Sequence, residues 1–262
     1  MVQFFDNISD DHAEWIRKQK IFFVGTAPLD GRGTVNNSPK GYDCLRVLNP
    51  NQVCYLEMSG MLFYFPSLRD SSGIETQSHL EENGRITIML TAFEGGPRIM
   101  RLMGTGRVIR VDTPEFNTLM ETHYEGSELA RAAGKRAIIL IDVRKVSTSC
   151  GYGVPYFDYK GSRKTLIDTW AKRDEDKVKE YWKTINKSSL DGLPGMRHEL
   201  LGPDFVGRNR GAGEEIVLPG EEPWGALLTG WVKASPAPVN AAYVVAGAVI
   251  GGAISHLYSR RR

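Results

Sequence analysis

Two short stretches of this chain carry groups suited to holding an anion. Thr34-Val35-Asn36-Asn37-Ser38-Pro39-Lys40-Gly41-Tyr42 sets one ammonium, Lys40, among amide and hydroxyl side chains, beside a glycine where backbone can approach a ligand closely. Ser72-Gly73-Ile74-Glu75-Thr76 stands just ahead of a helical pattern, where unpaired backbone N–H groups favour a bound phosphate. Each has an ordinary structural explanation when taken alone. The first has the composition of a solvated turn before a strand, and the second that of a helix cap. Together, and with Arg98 and Arg101 further along, they suggest one phosphorylated cofactor gripped at two places.

Other reactive side chains give less. His79 falls inside a predicted short helix, where it either touches a cofactor or sits on the surface or at a cap. His12, His123, His198 and His256 lack metal-ligand spacing. Cys150 is expected to be a packed thiol, and the run that follows it, Gly151-Tyr152-Gly153-Val154-Pro155, to shape a loop over the cleft.

The elements that must position these groups follow from the hydrophobic pattern. Ser9 or Asp10 can cap a helix through Ala13, Trp15 and Ile16 towards Lys20. Strands are predicted at Ile21 to Ala27, Asn51 to Glu57 within a strand-like run from Arg46, Arg85 to Ala92, Ile99 to Val111 and Ala137 to Val146. A short helix is expected from Thr76 to Asn83, ended by Gly84, and a longer one from Thr113 to Ala133, anchored by Phe116, Leu119, Met120 and Leu129. With about six strands on short links, mostly antiparallel, the pattern favours a mainly β (α+β) barrel with flanking helices over a doubly wound sheet. No G-x-G-x-x-G run supports a dinucleotide fold. After Pro155, Leu166, Ile167, Trp170, Val178, Tyr181, Trp182 and Ile185 recur at helical spacing, as helices packing on the barrel do.

The 262 residues, 41% of them hydrophobic, suffice for one large domain or two small ones. A net charge of +2 with interleaved signs argues against a nucleic-acid partner. Three cysteines without C-x-x-C spacing suggest reduced thiols on the cytosolic side, and the amino-terminal residues carry no secretory or transit pattern. The compact domain is expected over residues 1–194, followed by a Gly/Pro-rich linker at 195–238. Residues 239–259 contain no Asp, Glu, Lys or Arg and are just long enough to cross a bilayer, with Gly247 and Gly251 placed for helix pairing and a basic tail at 260–262. A C-terminal anchor in an organelle membrane, with the domain facing the cytosol, is one expectation; a small-residue helix packed on the protein, weakened as a span by Asn240, Ser255 and His256, is the other.

Six runs, taken in order, resemble the pyridoxamine 5'-phosphate oxidase-like family of FMN-binding split-barrel proteins. They are Phe22 to Pro28, Val35-Asn36-Asn37-Ser38-Pro39-Lys40-Gly41, Ser72-Gly73-Ile74-Glu75-Thr76, His79 to Ile86, Pro97-Arg98-Ile99-Met100-Arg101-Leu102, and Ser149 to Pro155. The resemblance spans roughly residues 5 to 195. It implies a six-stranded antiparallel split β-barrel, usually a homodimer, with FMN in a cleft at the dimer interface. On that footing Lys40 and the Ser72, Gly73 and Thr76 helix start would neutralise the FMN phosphate. Asn37, Ser38 and Gly41 would line the flavin, and Arg98 and Arg101 would lie near the cofactor or the dimer seam. Flavin chemistry needs no catalytic triad from the protein, since the cofactor itself takes the hydride from a small substrate.

The sequence departs from that pattern in one place. Ser59-Gly60 is followed by Met61 to Ser71 before Ser72-Gly73, an insertion beside the proposed phosphate site whose apolar Met61 to Phe65 would be costly to expose. It covers the cleft, meets a partner, or is an intron retained in the coding sequence. Because split-barrel relatives host several chemistries, a non-catalytic flavin- or haem-binding protein at a membrane surface stands as the alternative to an FMN-dependent oxidoreductase.

Overall fold

The computed structural model describes residues 2–60, 73–111 and 113–196. The proposed linker from 197 onward, the anchor at 239–259, the basic tail, the insertion at 61–71 and Ser72 lie outside these described residues. Among the described residues, no helix is long and apolar enough to cross a membrane.

In chain order the elements are β1 (Gln3–Phe5), α1 (Asp10–Lys18), β2 (Phe22–Thr26), β3 (Asn36–Lys40), β4 (Leu45–Asn49), β5 (Gln52–Met58), α2 (Glu75–Asn83), β6 (Arg85–Thr91), β7 (Ile99–Arg110), α3 (Pro114–His123), α4 (Glu128–Arg131), β8 (Lys135–Ser149), α5 (Thr165–Ala171) and α6 (Glu175–Ile185). The strands form one antiparallel sheet in the order β3-β2-β6-β7-β8-β5-β4. No pairing joins β3 to β4 among the described residues, so the sheet is split between them. The long β8 pairs β7 along one edge and serves two partners along the other: its first part pairs β5 from Lys135 to Asp142, and its last part pairs β1 from Val146 to Thr148.

The eight strands exceed the six expected for particular reasons. The polar stretch around Asn36 is strand β3, paired residue by residue with β2, and not a turn. Asn, Ser and Pro are poor strand formers, but β3 is an edge strand, where Pro39 removes no needed ladder donor. The run from Arg46 to Glu57 is a hairpin, β4 and β5, turning at Pro50. β1 is three residues long and carries too little pattern to be seen. The single helix expected over Thr113 to Ala133 is interrupted between α3 and α4, where Gly126 takes a positive φ of 76°.

Inward-facing residues alternate along the strands. Phe22, Val24, Ile86, Ile88, Leu90, Met100, Leu102, Ile139 and Ile141 are buried in one cluster, each contributing about 1.5–3 kcal/mol by leaving water. A register shift at Met103/Gly104 lets β7 follow β8 around the barrel, and a side chain at Gly104 would drive its Cβ to 2.0 Å from the Asp142 carbonyl oxygen. A second, smaller cluster, Ile74, Trp170, Val178, Trp182 and Met196, seats α5 and α6 beside the start of α2. Ser9 caps α1, accepting from the His12 N–H at 3.2 Å, and Gly84 ends α2 in the left-handed region.

Candidate functional site

The described residues of the two stretches, 34–42 and 73–76, come together beside the split in the sheet. Strand alternation turns Asn36, Ser38 and Lys40 to one, half-buried face of β3 and leaves Val35, Asn37 and Pro39 exposed on the other. Asn36 ties this face to the neighbouring elements, donating to Thr26 Oγ1 at 2.9 Å and to Thr76 Oγ1 at 3.0 Å. The Ser38 hydroxyl donates to Asn36 Oδ1 at 2.9 Å. Lys40, at the end of the strand, brings its Nζ to 3.7 Å from Glu57 Oε1.

An inner cavity of about 230 Å³ opens at this point, lined by Ser38, Lys40, Gly41, Glu57, Gly73, Glu75, Thr76 and Arg136 among others. Glu57, on β5, is 1% exposed. Its Oε2 accepts from Gln77 Nε2 at 2.6 Å and lies 3.4 Å from Arg136 Nε. Burial alone would raise the pKa of this carboxyl, but the charge of Arg136, then that of Lys40, and the Gln77 donation hold it below the usual value. Arg136, on β8 and 2% exposed, donates from Nη1 to Asn186 Oδ1 at 3.0 Å and from Nη2 to the Gly73 carbonyl. At the start of α2 no side chain caps the helix; instead the Gly73 N–H donates to Glu75 Oε2 at 2.7 Å.

Beyond Gly41 lies a wider cleft of about 1130 Å³. Lys18, Lys20, Lys40, Arg98, Lys160 and Arg163 face only two carboxylates there, Glu94 and Asp158, so the cleft is electropositive. Two of the cations stack on rings: Arg98 lies 5.5 Å from the Trp15 centroid, and Lys20 lies 5.7 Å from that of Tyr159. One wall is the extended segment Phe157 to Arg163, stitched to the β6–β7 turn by the Phe157 N–H to the Phe93 carbonyl and the Tyr159 N–H to Glu94 Oε1, both at 3.0 Å.

Lys40 and Gly41 thus border both openings, Ser38, Gly73 and Thr76 line the inner one, and Arg98 lines the outer. Asn37 is exposed on the far face of β3, and Arg101, half-buried in β7 opposite Met89 and Ser147, lines neither opening. The Gly151 to Pro155 run does not line the cleft; the residues just after it do. Cys150 is exposed rather than packed, with its thiol pKa lowered chiefly by the Tyr152 backbone N–H.

His79 is neither a surface nor a capping residue. It is wholly buried, with Nδ1 3.0 Å from Thr26 Oγ1 and Nε2 3.8 Å from Asp191 Oδ2. Asp191 in turn accepts from the Thr34 backbone N–H at 3.0 Å and from the Thr34 hydroxyl at 3.0 Å. Desolvation lowers the His79 pKa below 6.5, against the opposing pull of Asp191. The unfolded chain therefore binds a proton that the folded chain resists, so this stability is present above pH 6.5 and is lost as pH falls from there towards the folded-state value. Melting temperature should drop on acidification through that window, and the drop should shrink in His79→Gln; an equal drop in both proteins would remove His79 from the account.

Glu57, Arg136 and Asp191 went unseen in the sequence. The signal for Glu57 was a lone carboxylate directly after Val53-Cys54-Tyr55-Leu56, which asks for a buried cation; nothing local named Arg136 as that cation.

A family model described as pyridoxamine 5'-phosphate oxidase matches residues 8–150. The pyridoxamine 5'-phosphate oxidase family protein ustO of Aspergillus flavus is 33% identical over 245 residues, covering 88% of this chain and 86% of that one. Among solved structures, a FAD-binding protein from Mesorhizobium loti shares 12% identity over 56% of this chain and 96% of its own, with a TM-score of 0.32. HutZ, the heme storage protein from Vibrio cholerae, shares 13% over 52% of this chain and 89% of its own, with a TM-score of 0.34. The family-model match across most of the barrel, joined to the near full-length likeness to the Aspergillus protein, establishes that this chain belongs to the pyridoxamine 5'-phosphate oxidase family.

Proposed function

We propose that the chain binds FMN where the inner cavity meets the outer cleft and acts as an FMN-dependent oxidoreductase on a small substrate. The observation that carries this reading is Lys40. Its ammonium is within ion-pair range of Glu57, yet at 3.7 Å it makes no hydrogen bond there, so its donors are free to meet an anion beside the start of α2. The residues present fit the group. Lys40, Thr76 and the α2 start would take the phosphate, Ser38 and Gly41 border the way out, and the ring faces of Trp15 and Tyr42 offer apolar surface to a planar system in the cleft. FMN, when bound, supplies the acceptor for a hydride. The chain binds, orients and shields: the aromatic walls exclude water, and the surplus of cations favours the negative charge that a reduced flavin carries.

The direct test is flavin loading. Purified protein should take up FMN, and Lys40→Ala should weaken FMN binding about tenfold while leaving riboflavin, which has no phosphate, within about twofold. A protein that cannot be loaded with FMN would sink the reading. Anaerobic addition of pyridoxine phosphate, pyridoxamine phosphate or a nicotinamide donor then separates an enzyme from a binding protein: bleaching by one donor shows turnover, and no bleaching by any of them supports a carrier.

A further inference from the structure

We infer that Glu57 is the positioning residue that sets how strongly this site prefers a phosphorylated flavin, by holding Lys40 in an internally neutral cluster until an anion draws it away. The inference rests on the FMN reading and goes beyond it. Four charges line the inner cavity, Lys40 and Arg136 against Glu57 and Glu75, and they sum to zero. Two atoms of the central pair are buried without hydrogen-bond partners, Glu57 Oε1 and Arg136 Nε. Both residues are nine-tenths or more buried and line the cavity.

The two cations are committed unequally. Arg136 is fixed by Asn186 and the Gly73 carbonyl, so its charge is spent on the protein. Lys40 is bound to the cluster by attraction alone, and its side chain is 21% exposed, enough to swing. A phosphate arriving at the α2 start has to compete with Glu57 for that one ammonium, and Glu57, pinned by Gln77 at 2.6 Å and flanked by Arg136, cannot withdraw. Glu57 therefore opposes the phosphate twice: it holds Lys40, and it repels the dianion.

The experiment compares FMN with riboflavin, because only their ratio isolates the phosphate. Wild-type protein should prefer FMN by about tenfold. Glu57→Gln keeps the shape and the acceptor but removes the charge, so the preference should rise at least a further tenfold, with riboflavin affinity unchanged. Glu57→Asp keeps the charge and should keep the wild-type ratio. A residue that merely supported the fold would move both flavins together. If the ratio stays level or falls in Glu57→Gln, Glu57 aids phosphate binding and the inference is overturned alone. Should Glu57→Gln fail to fold, the wild-type and Glu57→Asp proteins still decide: a preference well above a hundredfold in both overturns the inference, because no phosphate held that well is being opposed. Wild-type protein that binds neither flavin overturns the FMN reading and this inference together.

Discussion

Arg136→Met should cost the domain about 3–5 kcal/mol, the expected penalty for removing one partner of a buried ion pair. Three groups lose their partner at once: Glu57 keeps only Gln77 and a distant Lys40, the Asn186 amide oxygen loses its donor, and the Gly73 carbonyl loses its own. Methionine fills the volume, so the loss is electrostatic rather than a void. Urea unfolding reads it directly, as a midpoint lowered by more than about 1 M given ordinary slopes. The double variant Glu57→Met/Arg136→Met should recover much of the loss, since two apolar side chains need no partners. A change below about 1 kcal/mol in Arg136→Met would show that the pair is already solvated.

Trp170→Ala should be comparably severe, about 3–5 kcal/mol, but for a different reason. Trp170 is completely buried at the centre of the smaller cluster, meets Tyr181 edge to face at 5.1 Å and donates from Nε1 to the Ser59 carbonyl at 2.9 Å. Its ring fits so closely against the turn just before β8 that a Cβ on Gly134, which has a φ of +80°, would lie 2.7 Å from it. Truncation leaves a large void and an orphaned carbonyl together. Because Trp182 Nε1 donates to the Ser59 hydroxyl at 2.7 Å, the same residue is held from both helices. The loss of α5 and α6 should then show as early proteolysis after Pro155 while the sheet persists. Cooperative loss of the whole sheet at the same temperature would argue that the clusters melt as one.

The barrel was legible because its central strands carry apolar residues at strand spacing or in continuous runs, as Ile88 in β6, Leu102 in β7 and Ile139 in β8 show. The edges were not. β3 is built of residues that local propensity assigns to turns, and it becomes a strand only because β2 offers it a ladder. The same holds at the site. Lys40, Ser38, Gly73 and Thr76 could be named because their composition differs from their surroundings, and the fold does bring them to one cavity. Asn37 was grouped with Ser38 by adjacency in sequence, and strand alternation sends the two to opposite faces. Glu57, Arg136 and Asp191 are separated by tens of residues, and each makes sense only beside a partner that no local window contains.

The segment from Asn186 to Met196 reaches back to both halves of the site. Asn186 receives Arg136, Asp191 receives Thr34 next to β3, and the Leu190 N–H donates to Glu75 at 3.3 Å. In time rather than in space, this makes the cavity one of the last things the domain acquires. A ribosome will have finished every described strand of the sheet by Ser149, yet the residues that brace the inner cavity are still about forty residues from being made. At an elongation rate of about 5–20 residues per second, the strands therefore wait several seconds for the residues that complete the cavity.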